Sequence, residues 1–280
     1  MPVKTTVDDT GVVRKVVLVG ATGSACVIYT HGATITSWIS QGKERLFLSK
    51  QAVINGSKAI RGGIPVVFRK LPQHGFARTS TWEFLGHKDS IDGVHARFLL
   101  RETKETMSSE WPYKFRLTLT VFLSESSLKV GLMVTNMDEV NIEFTSLLHT
   151  YLRTTNINDT ELVGLSGCKY VDKILGGSDN SDKEEPLIVT KSEDRVYANA
   201  PDLLTVKVKG EKEIITVDKS GFKDYVFWNP WSELAKGMSD FGDSEYQEML
   251  CVEAGAVSAP IVLEPGKEWE GFTTLTVESQ

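Results

Sequence analysis

Cysteine is scarce in this chain of 280 residues: Cys26, Cys168 and Cys251 make an odd count of three, with no close spacing between them. That excludes a disulfide scaffold and a cysteine-knuckle metal site, and leads us to expect free thiols in a reducing compartment. Long apolar runs are missing as well. No stretch approaches the ~18 residues of a spanning helix, and the opening segment MPVKTTVDDTG has no apolar leader core. A cytoplasmic protein with no membrane partner is the expectation. Basic excess is also absent, since 31 Lys and Arg face 37 Asp and Glu for a net charge of −6. A generic nucleic-acid partner would need a basic face, so none is expected; a local basic pocket for one small anion is still allowed. Helical periodicity is rare, and no repeat or Pro- or Gly-rich linker divides the sequence.

What the chain has instead is alternation of period two. Phe115, Leu117, Leu119, Val121 and Leu123 share one face of a strand, with Arg116, Thr118 and Thr120 on the other. Leu128, Val130, Leu132 and Val134 repeat the pattern after a serine-rich turn, as do Leu204, Val206 and Val208, and the segment 272–277. Further short strands are expected at 12–18, 25–29, 34–39, 82–85, 96–100, 142–148, 214–217, 225–228 and 249–253, broken by turn residues as in a meander. Ser232 is read as the cap of one short helix, and the polar, acidic stretch 178–185 as a solvated loop. The fold expected is all-β: residues 1–280 as one domain, two large antiparallel sheets packed face to face. Sandwiches of about 200–250 residues already occur as single domains.

Chemistry gathers at a few polar positions. The segment RGGIPVVFRKLPQHGFAR, residues 61–78, sets Arg61 and Arg78 around Gln73 and His74, with two glycines after Arg61. Glycine lets a backbone approach its neighbour closely, here read as a ligand. Fixed cations, an amide and an imidazole suit a small hydroxylated anion. His149 ends an apolar strand in SLLHTYLR, and Glu253 follows three apolar residues in MLCVEAG. A buried carboxylate costs several kcal/mol unless paired, and burial is also how a proton-transfer group is tuned. Each has a plain reading too. His149 alone suits a core histidine, Glu253 a partner of a nearby Arg or Lys, and Asp194 a surface partner of Arg195. Two tryptophans in FWNPW are core plugs or a sugar-stacking wall. No short spacing such as HExxH links the histidines and glutamate, so no metal is expected.

Taken together, RGGIP, LPQHGFAR, LLHTYLR, EDRVY, VFWNPW, MSDFGDSEY and CVEAG occur in an order that resembles the glucose-6-phosphate 1-epimerases, the hexose-6-phosphate mutarotases of the aldose 1-epimerase superfamily. The resemblance covers residues from about Thr30 to the C-terminus. It implies a galactose-mutarotase-like β-sandwich, His149 as general acid on the sugar ring oxygen and Glu253 as general base on the anomeric hydroxyl. It also implies Arg61, Gln73, His74, Arg78 and Asp194 as substrate-holding residues. The substrate implied is a hexose 6-phosphate. Anomer interconversion needs only proton transfers, so no cofactor is expected; a monomer is expected as well. An unphosphorylated aldose substrate and a non-catalytic sugar-phosphate binder are the competing readings. One departure stands out: between Phe68 and Leu71 lie only Arg69 and Lys70, where the family pattern has a loop about a dozen residues longer.

Overall fold

The computed structural model describes residues 3–20, 22–68, 74–181 and 185–279. Gln73 and the short connection at Arg69 and Lys70 lie outside the described residues. Among the described residues every strand pairing is antiparallel. The alternating segments become the central strands of two large sheets. The nine-stranded sheet is built around Glu268–Ser279, Ser127–Asn136, Phe115–Leu123 and Val94–Arg101. The eight-stranded sheet runs from Ser178–Ser181 through Lys169–Asp172, Glu193–Tyr197, Asp224–Asn229, Met249–Leu263 and Ile142–Leu148 to Val66–Phe68, with Tyr151–Arg153 also paired to Met249–Leu263. A third sheet adds to the expected two: the first five strands form a separate N-terminal meander ending at Lys43–Glu44.

Each strand of the eight-stranded sheet splits its residues between two faces. Leu250, Val252 and Ala254 join the main core cluster, which also holds Phe115, Leu117, Leu119, Val121 and Leu123 of the nine-stranded sheet. Met249, Cys251 and Glu253 therefore face the other way. Register extends that outer face sideways, because cross-strand partners share a face. Asp194 pairs with Trp228, Trp228 with Cys251, and Cys251 with Tyr151. Val196 pairs with Val226, and Val226 with Glu253. Two rows of side chains thus cross the sheet away from the core, and they bring together segments up to a hundred residues apart.

Three local expectations change. The helix at Trp231–Ala235 begins from Pro230, and Ser232 bonds Glu233 rather than capping it. Within the stretch read as a loop, Ser178–Ser181 is a strand paired to Lys169–Asp172. Gly62 and Gly63 approach protein backbone, not a ligand. A Cβ on Gly63 would lie 1.9 Å from the Ile35 carbonyl oxygen, and one on Gly62 2.5 Å from that of Phe47. Both have positive φ, so the RGG step is where the chain crosses tightly between sheets. Among the described residues no helix is long and apolar enough to cross a membrane.

Candidate active site

The outer face of the eight-stranded sheet forms the floor of a cavity of ≈ 290 Å³. Val67, Leu147, Val226 and Val257 supply its apolar wall, and Arg61, His74, His149, Lys173, Asp194, Trp228 and Glu253 its polar and aromatic lining. Small-molecule sites combine apolar walls with convergent polar groups, and here the polar groups are the more numerous. Five of the seven residues singled out from the sequence meet here: Arg61, His74, His149, Asp194 and Glu253. Arg78 does not. It lines an adjoining cavity of ≈ 500 Å³ with Lys58, Arg61, Tyr151 and Asp240. Arg61 borders both.

His149, just past the end of Ile142–Leu148, is brought to Glu253 inside the neighbouring strand Met249–Leu263. The His149 amide donates to the Pro65 carbonyl at 3.0 Å, and the Tyr151 amide to that of Gly63 at 2.9 Å. The RGGIP segment thereby fixes the HTY segment. Glu253 lies mid-strand opposite Val226. Their side chains are 8 % and 2 % exposed, and His149 Nδ1 sits 3.3 Å from Glu253 Oε1. The contact is within ion-pair reach but not aligned as a hydrogen bond; among the described residues Nδ1 has no hydrogen-bond partner. Among the same residues no Arg or Lys pairs with Glu253.

Burial holds the Glu253 carboxyl well above the usual range, with the Asp194 charge adding and Lys173 opposing. Burial holds His149 well below its ordinary value, reinforced by His74, Arg61 and Arg78. Each shift is toward the uncharged form of its group. Desolvation outweighs the attraction of the pair, because both groups are almost fully removed from water.

His74 stands on a left-handed turn, φ 68°, with its ring centroid 5.8 Å from that of His149 and nearly perpendicular to it. Burial in the cavity and the charges of Arg78, Arg61 and Lys173 push it down to about 4. The residue keeps an exposed side. Asp194 is not the partner of Arg195, which clasps Glu193 at 2.6 and 2.9 Å. Burial raises Asp194, with Asp172 adding, while Lys173 at 3.9 Å opposes. Burial and the Arg61 charge hold Arg78 below its ordinary range, the mark of two guanidinium groups gathered at one place.

Sequence reading missed Lys173, Tyr151 and Asp240. Lys173 follows a short strand that alternation did not disclose. Tyr151 and Asp240 lie inside quoted motifs but carried no assigned role. Trp228 is the wall of the FWNPW pair, edge-on to His149 at 5.9 Å. Trp231 packs against the main core and Tyr246. Asn229, fully buried, donates to the Tyr246 and Met249 carbonyls and accepts from the Trp231 amide, which fixes the turn.

His149, Cys251 and Glu253 place donor atoms within 4.8 Å of one another. Cys251 does not line the cavity, and burial raises its thiol well above its ordinary range.

The aldose 1-epimerase family profile matches residues 14–276. The chain belongs to the aldose 1-epimerase family. It is 36% identical over 278 residues to a Cenchrus ciliaris protein named "Putative glucose-6-phosphate 1-epimerase", covering 94% of this chain and 84% of that protein. An Escherichia coli protein of the same name is 32% identical over 237 residues, 81% of this chain and 78% of its own length. The fold of this epimerase superposes on the crystal structure titled as a putative mutarotase from Salmonella typhimurium with a TM-score of 0.88. The two are 24% identical, and the match covers 99% of this chain and 97% of that one. The galactose-mutarotase-like β-sandwich is therefore the architecture of this family member.

Proposed function

We propose that this epimerase interconverts the α and β anomers of D-glucose 6-phosphate and related hexose 6-phosphates. The observation that carries the reading is the buried His149–Glu253 pair at 3.3 Å, in a cavity joined through Arg61 to a second, cationic one. Anomer exchange requires the O1 proton to leave and the ring oxygen to gain one, and an acid–base pair can do both in one site. The pair shares one transferable proton. A phosphate dianion beside Arg61 and Arg78 offsets two of the charges that depress His149. In the reacting state the proton sits on His149 and Glu253 is the carboxylate. Glu253 removes the O1 proton as the C1 carbonyl forms, and His149 protonates the ring oxygen as the C1–O5 bond breaks. Rotation about C1–C2 and closure with reversed roles yields the other anomer.

The two cavities divide the substrate. Arg61 and Arg78 grip the phosphate, with charge-assisted bonds roughly twice as strong as neutral ones. Asp194 and Lys173 meet ring hydroxyls, Trp228 offers a stacking wall, and His74 lies near the reacting end; Gln73 is assigned to the sugar by its motif. Energy from the remote phosphate holds C1 between the proton-transfer groups.

NMR exchange between the two anomers tests this. The expected result is a faster exchange of glucose 6-phosphate with the folded protein, and a rate equal to that of buffer would end the proposal. Arg78→Ala should raise KM for glucose 6-phosphate about tenfold or more, as expected for loss of a charge-assisted bond, and leave free glucose little affected. Equal losses on both would favour an unphosphorylated aldose as the substrate.

A further inference from the structure

Tyr151 takes no part in the proton transfers, yet it lines the anion cavity and packs against His149 of the other. Its ring stacks on the His149 imidazole with centroids 4.5 Å apart and planes 7° from parallel. Its hydroxyl accepts a hydrogen bond from Arg61 Nη1 at 3.2 Å. Asp240 accepts from Nε of the same guanidinium at 3.1 Å. Arg61 is thus held on two sides, and among the described residues Nη2 has no protein partner. The phenol itself is fixed. It is 2% exposed, packed by Phe47 and Trp228, and its amide and carbonyl bond Gly63 and the Phe47 amide. Asp240 is equally anchored: Phe241 plugs against Phe47 at 5.6 Å, and Glu245 accepts from Ser49 Oγ and the Lys50 and Gly242 amides.

We propose that Tyr151 is a positioning residue that ties the anion cavity to the proton-transfer cavity. Its hydroxyl aims Arg61 at the substrate phosphate, and its ring sets the plane of His149. This rests on the phosphate reading above. It accounts for a buried hydroxyl among apolar neighbours, where a phenylalanine would pack equally well if packing were the whole role. A long guanidinium without such a brace loses rotamer freedom on binding, and preorganisation removes that cost.

The test separates hydroxyl from ring. Tyr151→Phe keeps the stack and removes only the brace. The ratio of kcat/KM for glucose 6-phosphate to that for glucose should fall about tenfold, the effect of one hydrogen bond to a charged group, mostly through KM. Binding of inorganic phosphate, measured by calorimetry, should weaken in parallel. Tyr151→Leu should lower kcat as well and broaden its pH profile, since His149 loses its stacking partner. A Tyr151→Phe variant with the wild-type ratio and phosphate affinity, whatever its melting temperature, overturns the proposal. If the wild type binds phosphate and Tyr151→Phe weakens that binding, but neither turns over sugar phosphate, the brace stands and the epimerase reading falls. If the wild type binds no phosphate, both fall.

Discussion

A carboxyl group sealed among apolar strand residues is comfortable only while it carries its proton, and Glu253 is such a group. Its raised pKa makes the folded state bind a proton that the unfolded chain releases above the ordinary carboxyl range. Its contribution to stability is therefore fully present at low pH and is lost as pH rises toward the folded value. Glutamine mimics the protonated form and does not titrate. Glu253→Gln should abolish anomer exchange, leave the fold intact, and raise the melting temperature over wild type by more at pH 8 than at pH 4. Thermal melts of both proteins across that range check the sign. A variant that becomes relatively less stable at high pH would mean that Glu253 is a carboxylate held by its neighbour. His149 has the opposite sense. Its depressed pKa removes stability as pH falls below the ordinary imidazole range, so the two slopes oppose each other and the pair is most stabilising in the mildly acidic range between the ordinary carboxyl and imidazole values.

At the scale of an element, the strand Met249–Leu263 carries Glu253 and then breaks register. Phe144 pairs with Ile261, but Ser146 pairs with Ala256, so extra residues bulge between them. Their amides need acceptors, and Asp224, 1% exposed, provides them. Oδ2 accepts from the Val257 and Ser258 amides, and Oδ1 from Ser258 Oγ and the Asn199 amide. Asp224→Ala leaves these donors without their acceptor and should cost about 2–4 kcal/mol in denaturant unfolding. A loss under about 0.5 kcal/mol would show that water replaces the carboxylate. Because Val257 lines the cavity, the variant should also raise KM. Asp224 illustrates what a sequence discloses and what it hides. Strands with one face on the core, such as Phe115–Leu123 and Ile142–Leu148, announce themselves by alternation, and their bounds match expectation. Short strands near the sheet margins such as Lys169–Asp172 and Thr160–Val163 have too few residues to show a period. Site residues that break an apolar run, His149 and Glu253, were legible. Lys173 and Asp240 were not, because a charge in a polar turn looks the same whether it faces solvent or a cavity. Which side it faces is decided by register with strands far away in sequence.

For the whole molecule, net charge and local charge oppose each other. The chain carries −6 overall, whereas Lys58, Arg61 and Arg78 outnumber Asp240 in the anion cavity, and Lys173 adds a cation beside it. A sugar phosphate brings about −1.5 to −2 charges. Contact distances decide the sign. At about 4 Å, in partly buried surroundings, a unit pair is worth several kcal/mol. Charges beyond a Debye length of about 8 Å are largely screened at physiological salt. Local attraction therefore wins, and on the proposed reading a sugar phosphate is drawn in by a cavity field of opposite sign to the protein's mean. The consequence is a fall in kcat/KM for glucose 6-phosphate as ionic strength rises, roughly threefold or more between low and half-molar salt, with free glucose unaffected. Competition by the added anion would also lower the rate, but its slope would depend on which anion is used. Chloride and acetate falling on one curve at matched ionic strength would isolate screening. A rate that climbs with salt would mean that the acidic surface, not the arginine cavity, governs approach, and the assignment of the phosphate to Arg61 and Arg78 would have to be abandoned.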